Sequence, residues 1–154
     1  MKDDYGMKRI WKKAPVLMLT FLLAAALAVP AVAGSARSSL YLSGYRAWLT
    51  PEPGAKVDVT IDVEAVDDMD DVGALSVEMF VSSDGGSTFE RDGTYYSAMY
   101  PELLDQDTYW YYDTPISHQG VAGYQYCAII TVYAGDHTGW DSREYTTPTV
   151  TARR

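Results

Sequence analysis

Hydrophobic and polar residues alternate along three stretches of this chain. From Lys56 to Ala65, Val57, Val59, Ile61, Val63 and Ala65 interleave with Asp58, Thr60, Asp62 and Glu64. Such a period of two predicts a strand with one face in a core and the other in water. Leu75, Val77, Met79 and Val81 repeat the pattern against Ser76, Glu78 and Ser82, with Phe80 the outward apolar exception. Between Tyr124 and Ala134 one face carries Tyr126, Ala128, Ile130 and Val132, and the other Cys127, Ile129 and Tyr133. Apolar residues on both faces predict a central strand covered from both sides.

Weaker strand signals cover Leu40 to Leu49, Thr88 to Tyr96, Tyr109 to Ile116 and Ser142 to Val150. Turn residues at Pro51-Glu52-Pro53-Gly54 and Gly85-Gly86 punctuate them. A short helical turn is expected between Tyr100 and Asp107, with Pro101 at its first position. Seven short strands separated by turn signals predict an all-β domain, an immunoglobulin-like or fibronectin type III-like β-sandwich of about seven antiparallel strands. Tyr124-x-Tyr126, preceded by Gly120 and Gly123, suits the tyrosine corner of that fold. A closed barrel is the alternative.

The N-terminal segment follows a different pattern. Lys8, Arg9, Lys12 and Lys13 precede an apolar run from Ala14 to Val29, and Ala31-Val32-Ala33 supplies small residues at the end. This is the layout of a cleaved secretory signal, a signal helix over residues 1–33, and it predicts a single extracellular domain over residues 34–154. The alternative is a retained anchor, which would make the uncleaved signal the only membrane contact.

Charge narrows the partners. Twelve basic and 21 acidic residues give a net charge of −9. Five of the basic and two of the acidic residues lie in residues 1–33, so the remainder carries −12. Such a surface repels phosphate backbones, so no nucleic acid is expected as partner. Cys127 is the single cysteine, which excludes an intramolecular disulfide. Its place in an apolar strand reads as a small packed thiol rather than a nucleophile.

Four constellations bear on chemistry. Ser82-x-Asp84-x-Gly86-x-Thr88-Phe89 is an Asp-box, whose side chains pin a tight hairpin. Asp67, Asp68, Asp70 and Asp71 form an acidic segment that an immunoglobulin-like sandwich brings near Asp136, His137 and Asp141. Gathered carboxylates suit Ca²⁺, the one cofactor considered, and a solvated acidic loop is the other reading. Seven aromatics crowd residues 95–112, among them Tyr95, Tyr96, Tyr109, Trp110, Tyr111 and Tyr112. They read either as a platform for a cell-surface glycan or an extracellular protein, or as core packing, with alternate residues facing inward. Trp48 and Trp140 read as core or loop anchors. Finally, Ser117-His118 has no acid and serine framework around it, and no metalloprotease, lipase or phosphate-loop motif is present. The expectation is a secreted non-enzymatic binding domain of unknown specific function. A self-assembling structural protein and a small secreted hydrolase stand as alternatives.

A family resemblance points the same way. Tyr41-Leu42-Ser43-Gly44-Tyr45, Asp70-Asp71-Val72-Gly73-Ala74, Ser82-Ser83-Asp84-Gly85-Gly86 and Thr131-Val132-Tyr133-Ala134-Gly135-Asp136 carry it, with Gly139, Asp141-Ser142-Arg143 and Tyr145-Thr146-Thr147. The chain resembles a family of small secreted domains of unknown function from Gram-positive gut bacteria. The resemblance implies a fibronectin-like sandwich outside the cell. It implies no activity and no catalytic residue, and Tyr95 to Ile116 matches nothing in it.

Overall fold

A computed structural model describes residues 39–154. The expected signal peptide, residues 1–33, lies outside the described residues. The described chain is all-β, with seven strands joined in one antiparallel network. They are β1 (Leu42–Glu52), β2 (Lys56–Ser82), β3 (Glu90–Tyr96), β4 (Leu104–Gln119), β5 (Gln125–Asp136), β6 (Gly139–Thr146) and β7 (Val150–Thr151).

Strand β2 organises everything else. It is 27 residues long and takes different partners along its length. Its first arm pairs with β1 on one side and the second half of β4 on the other, giving the order β1–β2–β4. Its last arm pairs with β3 and with β5, giving β3–β2–β5–β6. The inward residues of the first arm, Val57, Val59, Ile61 and Val63, are fully buried, as are Val77 and Met79 of the last. Tyr126, Ala128, Ile130, Val132 and Ala134 of β5 complete this core. Each valine, isoleucine or methionine among them contributes roughly 1.5–3 kcal/mol on burial, which must carry a fold without a disulfide.

Two expected strands and the expected acidic loop between them are therefore one continuous strand. The alternation changes phase twice along it. Buried positions run Val63, Ala65, Met69, then Val72 and Ala74, then Val77 and Met79. The second change, between Ala74 and Val77, accompanies a loss of register, whereas the first, between Met69 and Val72, falls where pairing with β4 is regular. Between Glu64 and Met69 β2 has four residues where β4 has one, and a second irregularity lies at Ala74/Ser76 against β5. Bulges shift side chains to the other face without ending a strand. Asp67 and Asp68 ride on the first bulge, and pairing resumes at Met69↔Thr108 and Asp71↔Gln106.

Gly73 is required at the bend. Its φ is +148°, and a Cβ there would lie 2.2 Å from the carbonyl oxygen of Leu103. That carbonyl belongs to the short 3₁₀ turn Pro101–Leu103, which opens with proline as expected. A further bulge places Thr114 and Pro115 of β4 opposite Thr60 alone, so that proline, which has no N–H to donate, drops out of the ladder.

The two arms meet through side chains and chain ends. Tyr126 of β5 is fully buried, its ring 5.8 Å from that of His118 on β4. Its hydroxyl accepts a hydrogen bond from the backbone N–H of Val121 at 2.9 Å. The turn residue Ala55 donates to the carbonyl of Arg153 and accepts from the N–H of Gly120. Strand β5 lies between β2 and β6, and its outward Cys127, Ile129 and Tyr133 are half-buried. The expected final strand is split, β6 ending at Thr146 and β7 beginning at Val150 beyond Pro148.

Candidate functional site

The outward residues of β1, β2 and β4 form rows across the sheet. Gly44, Glu64 and Trp110 are partners in one row, and Arg46, Asp62 and Tyr112 in the next. Trp48 follows opposite Thr60, whose Oγ1 shares a 2.9 Å hydrogen bond with Oγ1 of Thr114. Trp110 is 50% exposed and Tyr112 53%. Their rings lie 5.9 Å apart and within 22° of parallel, and Tyr112 also leans on Trp48 at 6.2 Å.

Asp62 holds this face together. Its Oδ1 accepts the indole N–H of Trp110 at 2.9 Å, and its Oδ2 accepts the Nε–H of Arg46 at 2.7 Å. The Arg46 guanidinium in turn lies 5.6 Å over the Trp48 ring. Both aromatic flanks are thus tied to one central carboxylate. Beside them Gly44, Tyr45, Arg46, Asp62 and Glu64 line a surface depression of about 310 Å³. The missing side chain at Gly44 helps to open it, since a Cβ there would come within 3.5 Å of Glu64 Oε2.

The six aromatics expected to form a platform do not share one surface. Tyr111 is 1% exposed, packed in the core with its hydroxyl donating to the carbonyl of Glu102 at 2.7 Å. Burial pushes its phenol well above the ordinary range. Tyr111 is therefore a core residue, corrected from a ligand contact by the alternation of β4. Tyr95 is half-buried on β3, its phenol also raised by burial. Tyr96 and Tyr109 are exposed, but Tyr109 alternates with Trp110 and stands off these rows. Only Trp110 and Tyr112 of the six join the face. Trp48, expected as core or anchor, lies half-buried on it, and Trp140 of β6 is 64% exposed against Tyr133 of β5.

The acidic residues are spread rather than gathered. Asp67, Asp68 and Asp70 are exposed along β2, and Asp71 is half-exposed opposite Gly135. Asp136 is occupied within its own turn, its Oδ1 accepting from Thr138 Oγ1 at 2.6 Å, Thr138 N at 2.7 Å and Gly139 N at 3.2 Å. The Thr138 hydroxyl bond is the first cause of its lowered pKa. Among the described residues no three His, Cys, Asp or Glu side chains converge as a metal site requires.

A buried polar chain escaped the sequence reading. His118 is 6% exposed, its Nε2 2.8 Å from Asp92 Oδ2 and its Nδ1 2.8 Å from the Tyr95 hydroxyl. The signal for it was the inward phase shared by Ile116 and His118. These bonds tie β3 to β4, whereas Ser117, one residue away, faces outward. Cys127 is half-buried, and burial raises its pKa, the opposite of an activated thiol.

The Asp-box closes its hairpin through one carboxylate. Asp84 Oδ1 accepts from Ser82 Oγ and from the N–H groups of Ser87 and Thr88, and Oδ2 accepts from Thr88 Oγ1. Gly86 N–H donates to Ser82 Oγ at 2.9 Å. The side-chain oxygens of Ser82, Asp84 and Thr88 all bond within the turn. Comparison with protein-family models, curated proteins and solved structures finds no match for this chain.

Proposed function

We propose that this protein is a secreted, non-enzymatic binding domain that holds an extracellular glycan on the outer face of β1, β2 and β4. The observation that carries this reading is the pair of half-exposed, near-parallel rings of Trp110 and Tyr112, fixed through Asp62 beside a polar depression. Aromatic rings offer an apolar face to the C–H side of a sugar, and neighbouring polar groups meet its hydroxyls. Both oxygens of Asp62 already accept hydrogen bonds, so its part is to position rather than to react.

On this reading the fold is an immunoglobulin-like or fibronectin type III-like sandwich, with the two arms of β2 contributing to opposite layers. The bond from the Val121 N–H to the buried Tyr126 hydroxyl supports it, because it has the form of a tyrosine corner. Secretion rests on the signal pattern over residues 1–33.

The test is calorimetric titration with soluble β-linked oligosaccharides and pulldown on insoluble polysaccharides. Trp110→Ala is expected to weaken binding at least tenfold, and Tyr109→Ala to leave it within twofold. Binding that survives Trp110→Ala and Tyr112→Ala intact would remove this face from the function.

A further inference from the structure

Charge on the proposed face selects among sugars. Arg46 and Asp62 neutralise each other as a pair at 2.7 Å. Glu64 lines the same depression, is exposed, and among the described residues pairs with no basic side chain. The depression therefore keeps one uncompensated negative charge. That charge lies in the same row as Trp110, its direct cross-strand partner. A carboxylate and an indole on cross-strand partner residues supply the two groups that hold an ammonium, one through a charge-assisted hydrogen bond and the other through a cation–π contact. Arg46 lies over Trp48, and among the described residues no cation lies over the ring of Trp110 or Tyr112.

We infer that the sugar held here carries a free amine, so that the ligand class is a glycan of deacetylated amino sugars. This deepens the glycan reading and rests on it. The amine points into the depression and donates to Glu64, while the pyranose ring lies against Trp110 and Tyr112. A volume of about 310 Å³ is at the small end for ligand sites and suits one ring substituent rather than a branched chain. The net charge of −12 over residues 34–154 adds a long-range attraction to a cationic polymer, and salt screens this term while leaving the close contact largely intact.

Three tetrasaccharides separate the possibilities in titration calorimetry at 0.15 M salt: β-1,4-linked glucosamine, its fully N-acetylated counterpart, and β-1,4-linked glucose. The free amine is expected to bind at least tenfold more tightly than either neutral ligand. Glu64→Gln is expected to abolish that preference. Glu144→Gln, exposed on β6, controls for general charge and should change nothing. The preference should also fade as rising pH deprotonates the amine, with neutral binding unmoved. Equal or tighter binding of a neutral tetrasaccharide overturns the amine inference and leaves the glycan reading standing. A preference that persists in Glu64→Gln assigns the attraction to overall charge and also overturns it. If none of the three binds, both readings fall.

Discussion

Removing the carboxylate of Asp62 should cost both stability and binding, in amounts that the structure sets. Asp62→Ala deletes two hydrogen bonds, one from the Trp110 indole and one from the Arg46 guanidinium. The Arg46 side chain is 69% exposed, so that ion pair is screened and contributes no more than about 0.5 kcal/mol. The Trp110 bond ends on a carboxylate that is only 15% exposed, and hydrogen bonds to charged groups contribute about 1.5–3 kcal/mol. Half of Trp110 remains in water, which favours the lower figure. The sum is about 2 kcal/mol, which for a domain of this size lowers Tm by about 8 °C. Asp62→Asn keeps an acceptor for the indole and should recover about half of the loss. The assay is urea unfolding of Asp62→Ala, Trp110→Phe and the double variant. Phenylalanine lacks the N–H, so a coupling of about 1 kcal/mol is expected between the two sites. Additive effects would mean that the indole bond does not hold the face, and the positioning role given to Asp62 would be refuted.

Tyr126→Phe leaves the Val121 N–H without its acceptor and should cost about 1–3 kcal/mol by thermal melt, against no change for Tyr124→Phe at the exposed neighbour. Gly73→Ala drives a methyl group to 2.2 Å from a backbone oxygen, so no cooperative melt is expected, and a Tm within 2 °C of the parent would contradict the bend described here. Backbone and side-chain donors of Thr88 and Ser82 hold the Asp84 carboxyl far below its usual pKa. Its folded value lies below its unfolded one, so its stabilisation of the hairpin is complete above about pH 4 and is lost as pH falls toward the folded value. Amide exchange at Ser87 and Thr88 should therefore stay slow down to about pH 4, and loss of protection already at pH 5 would oppose this assignment.

The strict alternation from Lys56 to Ala65 made the first arm of β2 legible, because one buried face demands one phase. The same rule hid the middle of the strand. The phase changes between Met69 and Val72 and again at the Ala74/Ser76 bulge, and a change of phase reads as a break when only the linear pattern is seen. Asp67 to Asp71 looked like a loop for that reason, although Met69 and Val72 anchor it. The aromatic face was legible in part. Period two separated Trp110 and Tyr112 from Tyr111, but the rows joining them to Trp48, Asp62 and Glu64 depend on cross-strand register. That register is fixed by the β1–β2 turn and by the bulge at Pro115, and no local pattern encodes it. His118 was hidden likewise, since its partners Asp92 and Tyr95 come from a strand that does not pair with β4.

The most direct test of the proposed face is a ¹H–¹⁵N titration of the labelled protein with the glucosamine tetrasaccharide. The indole N–H of Trp110, which donates to Asp62, should shift most among the side chains, accompanied by backbone amides of Arg46, Trp48 and Glu64. The indole of Trp140 should stay in place. Shifts gathered around Trp140 and Tyr133, or none at saturating ligand, would contradict the account.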